Sequence, residues 1–349
     1  MTNTRFESIG RFLPSKIVST RELIERMPFK PPFDLEDITG IKTRRVHDKT
    51  DGSFEDSFVL ASEAAKDALS RSKYRAEDLD VIISGSIVRY KDGLTHHSEP
   101  PFALFLKRAL GNAKALTFDV SNACAGMMSG IYVLDRMIKA GVVKNGLVVS
   151  GECITPIADT AVEEISQPFD SQFGSLTVGD AGVAVILDGE ATDADKIHQI
   201  ELMTCSEYSQ LCIGMPSDQR PGAALYTNNH EMHKEDRLQL WPNFQADILS
   251  RFGSSFAEEK YDYIVHHQVS TKFIARIQKF SSKLLNTEMP ESLSCVEQYG
   301  NTASTSHFVV LYDHLKDKKV KKGAKFLLVP AASGVVTGCL SATISSLEV

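Results

Sequence analysis

The sequence predicts a layered α/β protein, in which helices cover sheets made of largely buried strands. Short runs of β-branched and aliphatic residues alternate with longer amphipathic segments along the whole chain. Such alternation is typical of α/β layers. A chain of 349 residues is also too long to fold around one ordinary hydrophobic core, so we expect two domains or one duplicated unit.

Five runs have the length and composition of strands, and several are apolar on both faces, as buried strands are. They are DVIISGSI (80–87), NGLVVSGE (145–152), GVAVILDG (182–189), YDYIVHHQV (261–269) and AKFLLVPAA (324–332). Between them, apolar residues recur at helical spacing over 56–72 and 270–285, and we predict a helix in each place.

The predicted elements form two blocks, joined by a less regular stretch. We expect a first half over 1–190 and a second half over 220–349. No convincing sequence similarity relates the two blocks, so a duplicated fold does not follow from the pattern alone.

Composition excludes several classes of protein. The net charge of −7 argues against a nucleic-acid binder, and no apolar run approaches the roughly 20 residues that span a bilayer. The N-terminus has no apolar signal core, so we expect a cytoplasmic protein. Six cysteines without CxxC pairing suggest neither a disulfide framework nor a zinc site, and we expect no metal and no cofactor.

One cysteine, Cys124, has a context that suggests chemistry. It lies in TFDVSNACAGMMSGIYVLDRMIKAG (117–141), where a strand gives way to a helix. The apolar residues of that helix fall on one stripe: Met127, Ile131, Leu134 and Ile138. Free backbone N–H groups at a helix start favour an anion and lower the pKa of a thiol, which predicts a nucleophile. A buried structural cysteine is the alternative that this segment leaves open.

The second half offers partners for such a nucleophile. His266 and His267 end a predicted strand, and Asn301 lies in a Gly-Asn-Thr turn before a predicted helix. Taken singly, a histidine at a strand end and a Gly-Asn turn are more often structural.

In their order along the chain, these segments resemble the thiolase superfamily, specifically the β-ketoacyl-acyl-carrier-protein synthase III branch. The resemblance runs nearly the full length, through SIGRFLPSKIVST, DITGIKTRRV, FDVSNACAGM, VGDAGVAVIL, VHHQVS, QYGNTAS and AASGVVTGCL. It implies a thiolase fold, with two similar βαβαβαββ halves in a five-layered αβαβα arrangement. It also implies a homodimer.

The resemblance implies a Cys-His-Asn site of a condensing enzyme in lipid or secondary-metabolite biosynthesis. Cys124 would accept an acyl group from an acyl-CoA or acyl-carrier-protein thioester. His267 and Asn301 would stabilise the enolate of a second acyl, β-ketoacyl or malonyl thioester in a Claisen condensation, and the backbone N–H groups of Cys124 and Ser333 would hold the first oxyanion. The alternative is an acyltransferase that passes the acyl group to an amine or a hydroxyl.

Three departures from the family pattern put a standard acetyl-CoA-plus-malonyl initiation role in doubt. Asp34 and Ile38 replace the tryptophan and arginine that grip coenzyme A in the housekeeping enzyme. The usual glycine triplet near the C-terminus is Ala332-Ser333-Gly334, and Ser270 stands where the family has asparagine.

Other segments look like the olefin-pathway enzymes that join two acyl chains head to head. They include SEYSQLCIG and the loop SIVRYKDGLTHHSEPPFA. This likeness implies that Glu99 on that loop reaches the active site of the partner subunit as a base. The alternative is a solvated loop carboxylate.

Overall fold

The computed structural model describes residues 3–48 and 54–349. The strands in these ranges are β1 (Arg5–Phe12), β2 (Lys16–Ser19), β3 (Thr43–Val46), β4 (Val81–Ser84), β5 (Leu116–Asp119), β6 (Asn145–Glu152), β7 (Ala181–Asp188), β8 (Lys196–Thr204), β9 (Cys212–Pro216), β10 (Ala223–Thr227), β11 (Tyr263–His266), β12 (Glu291–Ser292), β13 (Ala324–Val329), β14 (Ala331–Ala332) and β15 (Val336–Ile344). The helices are α1 (Thr20–Glu25), α2 (Leu35–Thr39), α3 (Ser57–Arg71), α4 (Phe102–Ala109), α5 (Gly126–Lys139), α6 (Pro156–Glu164), α7 (Asn229–Met232), α8 (Glu235–Leu238), α9 (Leu240–Arg251), α10 (Phe256–Glu259), α11 (Thr271–Leu285), α12 (Val296–Tyr299) and α13 (Ser306–Lys316).

Two large sheets share one topology. The first has the order β1-β7-β6-β4-β5, antiparallel from β1 to β6 and parallel from β6 to β5. The second repeats it as β8-β15-β13-β11-β12, again antiparallel over the first three strands and parallel over the last three. The short β14 also pairs with β15. The duplication that the sequence did not reveal is therefore present in the topology.

The helices complete five layers. The inner helices α5 and α13 lie between the two sheets, and their side chains share one core cluster with the inward faces of both. Helices α3 and α4 cover the outer face of the first sheet, and α9 covers that of the second. This is the αβαβα arrangement that the resemblance implies. The strand β8 lies between the predicted halves 1–190 and 220–349 and joins the second sheet; the halves as domains stay a prediction.

Burial on both faces explains why the central strands are so apolar. In β6, Val148 packs into the inner cluster, whereas Leu147 and Val149 pack against the outer helices. In β13, Leu328 faces inward and Leu327 faces outward. Side chains alternate across a strand, so a strand covered on both sides needs apolar residues at every position.

The predicted strands and helices are present, with differences at their ends. The predicted helices over 56–72 and 270–285 are α3 and α11, and the side chains of Asp56 and Ser270 cap them. The last predicted strand is broken after Val329, because Pro330 has no N–H to donate to a sheet. Over residues 3–48 and 54–349, no helix combines the length and apolarity that a membrane crossing requires.

Candidate active site

The three side chains predicted to act together line one cavity. Its volume is about 1730 Å³, and Cys124, His267 and Asn301 all contribute to its wall. They arrive from three places in the fold: the turn before α5, the end of β11 and the turn before α13. The cavity therefore joins the two halves of the topology.

The turn that carries Cys124 is built by small residues. Cys124 is the middle residue of a 3₁₀ turn, Ala123–Ala125, that runs directly into α5, and Ala123 has a φ of 45°. At Gly126, the first residue of α5, a Cβ would lie 2.2 Å from the carbonyl oxygen of Gly85. Only glycine therefore allows the helix to start this close to the end of β4.

The expected low pKa of Cys124 is not what the structure supports. Burial raises the pKa of the thiol above its ordinary value, and the nearby Cys212 and Glu152 raise it further. The apolar surroundings include Ala125 and Ala332. The loss of hydration destabilises the thiolate more than the start of the helix stabilises it. The predicted lowering of the Cys124 pKa was therefore wrong.

The Asn301 side chain is held with its amide nitrogen free to act as a donor. The backbone N–H of Asn301 donates to the oxygen of Thr177 at 2.9 Å, and its carbonyl accepts from the N–H of Gly179 at 3.0 Å. Its Oδ1 accepts from the N–H of Ala303 at 3.0 Å. With Oδ1 committed to the turn, Nδ2 is the end of the amide available to a group in the cavity.

His267 is fixed by the same carbonyl that fixes a second histidine. The backbone N–H of His267 donates to the oxygen of Val329 at 3.1 Å, and Nε2 of His307 lies 2.9 Å from that oxygen. The two imidazole rings stack with centroids 5.7 Å apart. Burial, and to a lesser extent His307, lower the pKa of His267 to about 3. His267 is therefore a neutral imidazole near pH 7.

His266 and His307 surround His267 with further buried imidazoles. His266 contacts Trp241 edge-on at a centroid distance of 5.3 Å. Burial lowers the pKa of His266 and that of His307 to about 4 each. His307 was not among the predicted site residues, although a histidine inside the apolar run SHFVVLY was a visible signal.

A buried carboxyl, Glu152, was also missed. It ends β6, is fully buried, and accepts hydrogen bonds from the N–H of Ile87 at 2.9 Å, from the hydroxyl of Ser150 at 3.0 Å and from that of Ser304. Burial raises its pKa to about 7. The sequence signal was an acidic residue at the end of a largely apolar strand.

The remaining predicted residues lie as follows. Ser333 lines the cavity next to Ala332, which packs in the cluster that includes Cys124. Ile38 is 45% exposed on the cavity wall, so this part of the mouth is apolar, whereas Asp34 caps α2 through the N–H groups of two following residues. Glu99 is exposed and does not line the cavity of its own chain.

Three buried side chains away from Cys124 have the residue types of metal ligands. Within residues 3–48 and 54–349, His47, Cys153 and Asp180 place their ligand atoms within 4.8 Å of one another. The Asp180 oxygens, however, accept from the N–H groups of Ile154, Thr155 and His47 and from the Thr155 hydroxyl. This carboxylate is engaged in holding the turn after β6, and we assign it a structural role.

Two family models match the chain. The 3-oxoacyl-[acyl-carrier-protein] synthase III model matches residues 118–206, and the model of the C-terminal part of that synthase matches residues 254–344, together just over half of the chain. The chain belongs to the 3-oxoacyl-[acyl-carrier-protein] synthase III family. It is therefore an acyl-thioester condensing enzyme, an acyltransferase that forms carbon–carbon bonds.

Relatives match over almost their whole length. The β-ketoacyl-[acyl-carrier-protein] synthase III of Clostridium novyi is 26% identical over 347 residues, which cover 97% of this chain and 98% of the relative. The synthase III 1 of Halalkalibacterium halodurans is 27% identical over 342 residues and 98% of each chain.

Solved structures agree on the fold. OleA of Xanthomonas campestris, with bound lauric acid and lauroyl-CoA, superposes with a TM-score of 0.81 at 21% identity, covering 98% of this chain and 99% of that one. The 3-oxoacyl-[acyl-carrier-protein] synthase III of Aquifex aeolicus gives 0.78 at 22% identity, covering 97% and 99%. These matches confirm the thiolase fold.

The buried histidines predict a loss of stability in acid. Between pH 6.5 and about 4, the unfolded chain binds protons at His266, His267 and His307 that the folded chain does not. The free energy of unfolding should therefore fall as the pH is lowered through this window, and between pH 7 and pH 5 the fall should be about 2 kcal/mol for each fully buried histidine. Urea unfolding at pH 7 and pH 5 measures the fall.

A variant separates this effect from general acid damage. His266→Gln should show a smaller difference between the two pH values than the unsubstituted protein. His230→Gln, at an exposed histidine, should show the same difference as the unsubstituted protein. An equal fall in both variants would contradict the assignment.

Proposed function

We propose that this enzyme loads an acyl group onto Cys124 and joins it to a second acyl, β-ketoacyl or malonyl thioester by Claisen condensation. The proposal is carried by the observation that Cys124, His267 and Asn301 all line one cavity. Cysteine is a good acyl acceptor, because a thioester intermediate divides one difficult exchange into two easier steps.

In the first step the sulfur of Cys124 attacks the carbonyl carbon of the donor thioester. The carbon–sulfur bond to the carrier breaks, and the carrier leaves as a thiol. The backbone N–H groups of Cys124 and Ser333 stabilise the transient oxyanion. The position of Ser333 on the cavity wall, directly after an alanine that packs with Cys124, supports this role.

In the second step the acceptor thioester loses an α-proton, or CO2 if it is a malonyl thioester, and the resulting enolate carbon attacks the acyl carbonyl carbon on Cys124. The carbon–sulfur bond to Cys124 then breaks, and the cysteine leaves as a thiolate that takes up a proton. His267 and Nδ2 of Asn301 donate hydrogen bonds to the enolate oxygen. Transfer of the acyl group to an amine or a hydroxyl involves no enolate, so the side chain of Asn301 would have no catalytic role in it. The hydrogen bond that commits Oδ1 of Asn301 to its own turn supports condensation over such a transfer.

The size and lining of the cavity support medium or long acyl chains. Most small-molecule pockets have volumes of about 300–1,000 Å³, and the cavity of about 1730 Å³ is larger. Much of its wall is apolar, including Phe33, Ile38, Ile157, Phe169, Met215 and Leu225.

We also propose a homodimer, in which Glu99 reaches the cavity of the partner subunit as a base. The exposure of Glu99, away from the cavity of its own chain, supports this arrangement. So does β5, an edge strand that leaves Leu116 54% exposed. The cytoplasmic location stays a prediction.

Acyl loading is tested by intact-protein mass spectrometry after mixing the protein with acyl-CoA thioesters of increasing chain length. We expect a mass increase equal to the acyl group, and none in a Cys124→Ala variant. Cys212→Ala is a matched control, since this thiol lines the same cavity; it should still be acylated. An adduct that persists in Cys124→Ala would contradict the proposal.

Asn301→Ala should separate the two steps. Loading of Cys124 should continue, whereas the condensation rate constant should fall roughly 10²- to 10³-fold, because an enolate donor is lost. Single-turnover loading and product formation, measured on the same preparation, give the two rates. Equal losses in both steps would contradict a role confined to the enolate.

The carrier of the donor is suggested by a surface next to the cavity mouth. Ser270, the cap of α11, and Phe273 line the cavity. Further along, the exposed face of α11 carries a basic stripe: Lys272, Arg276, Lys279 and Lys283. No ion pair engages these four within the described part of the chain. In a protein of net charge −7, such a stripe supports docking of an acidic acyl carrier protein.

Charge reversal of the distal half of the stripe tests this docking. Lys279→Glu with Lys283→Glu should raise the KM for an acyl-carrier-protein donor about tenfold, since each rim charge steers the encounter. Acylation by acyl-CoA should not change. Lys316→Glu with Lys322→Glu, at exposed lysines elsewhere, is the matched control. An unchanged KM for the carrier protein would rule out the stripe as its docking surface.

A further inference from the structure

Glu152 is a buried carboxyl, and within residues 3–48 and 54–349 no lysine, arginine or histidine pairs with it. It accepts hydrogen bonds from the backbone N–H groups of Ile87 and Val88 and from the hydroxyls of Ser150 and Ser304. An ionised carboxylate in such a place is costly, and this burial raises the pKa of Glu152 to about 7.

The hydrogen bond to Ser304 brings Glu152 to the active site. Ser304 is the middle residue of a 3₁₀ turn, Ala303–Thr305, that leads into the inner helix α13. Cys124 holds the same place in the turn that leads into α5, and each turn starts with an alanine of positive φ, 45° for Ala123 and 54° for Ala303. The two turns contact each other, and the second also contacts β6. Glu152 therefore lies one turn away from the nucleophile.

We propose that Glu152 is a positioning residue whose proton controls the nucleophile: when Glu152 is protonated, Cys124 can ionise, and when Glu152 is ionised, the thiolate is suppressed. The inference rests on the proposed function, in which Cys124 takes the acyl group. Two acidic groups that share a water-poor site do not ionise together, and their titrations are coupled. The carboxylate already raises the pKa of the Cys124 thiol.

Other titratable groups are found on the elements packed around β6 and the two turns, and they have partners of their own. Asp180 and His47 bind each other and Thr155, Asp135 on α5 pairs with Lys139, and His307 binds the Val329 carbonyl. The further members of this set are Cys153, Tyr90 and Cys212. Glu152 differs from these groups in two respects. It is hydrogen-bonded to the turn that contacts the Cys124 turn, and its pKa is raised to about 7.

The test is the pH dependence of Cys124 alkylation by iodoacetamide, followed by intact and peptide mass spectrometry from pH 6 to 9. In the unsubstituted protein, the rate should rise by less than tenfold per pH unit around pH 7, because ionisation of Glu152 opposes that of Cys124. In Glu152→Gln the rise should return to about tenfold per unit, and the rate at pH 8 should be about three- to tenfold higher. Identical profiles would overturn the proposal.

Two further variants keep the test decisive. Glu164→Gln removes another buried carboxyl, one bound to Gln172 and Ser217, and should leave the profile unchanged. If Glu152→Gln does not fold, Ser304→Ala removes one donor to the carboxylate and should move the break in the profile to higher pH. A break that stays in place in Ser304→Ala would also overturn the proposal.

Failure of this inference is distinguishable from failure of the proposed function. An acyl adduct in Cys124→Ala would remove the proposed function, whatever the alkylation profiles are. Normal loading of Cys124 together with an unchanged profile in Glu152→Gln would remove only the control by Glu152.

Discussion

The contact between two 3₁₀ turns, Ala123–Ala125 and Ala303–Thr305, is the constraint on which the rest of the site depends. The turns start the two inner helices, α5 and α13, which the sheets enclose from both sides. Because most side chains of the inner helices are buried, small changes in the position of these helices would disrupt packing on both sheets. This rigid placement brings Cys124 from one half of the topology and Asn301 from the other to the same cavity.

Burial in this middle layer also decides the charge of the site. It raises the pKa of the Cys124 thiol and of Glu152, and it lowers that of His267 to about 3. Cys124 and His267 are therefore uncharged near pH 7, whereas Glu152 titrates there. In the proposed mechanism, negative charge develops as the oxyanion and the enolate form, and fixed hydrogen-bond donors stabilise it there. The same burial lowers the free energy of unfolding in acid, since the histidines are neutral in the folded chain and become protonated when it unfolds.

Local patterns predicted much of this structure. The apolar stripe Met127, Ile131, Leu134 and Ile138 predicted α5, and all four side chains are buried. The strands were visible because a strand covered on both faces must be apolar throughout. The repeat of the topology was not visible, because strand pairing is set by contacts between segments far apart in sequence. The two halves reach the same order with different side chains.

The electrostatics of the site could not be predicted from local sequence. A helix start suggested a low thiol pKa at Cys124, but the residue that helps to exclude water there, Ala332, comes from the other half of the topology. Glu152 and His307 were missed for the same reason. Each is a polar residue within an apolar segment, and only the assembled fold shows what surrounds it. Conversely, Asn301 was predicted through a family resemblance rather than through its ordinary Gly-Asn turn.

The central claim is that these residues form a carbon–carbon bond, and product analysis tests it most directly. The protein is incubated with a donor thioester labelled with ¹³C at the carbonyl carbon and an unlabelled second thioester, and the products are resolved by mass spectrometry and carbon NMR. We predict a β-keto product, or the ketone left after its decarboxylation, in which the labelled carbon is bonded to the α-carbon of the second chain. Label found only on an amine, on a hydroxyl or in the free acid would contradict the account.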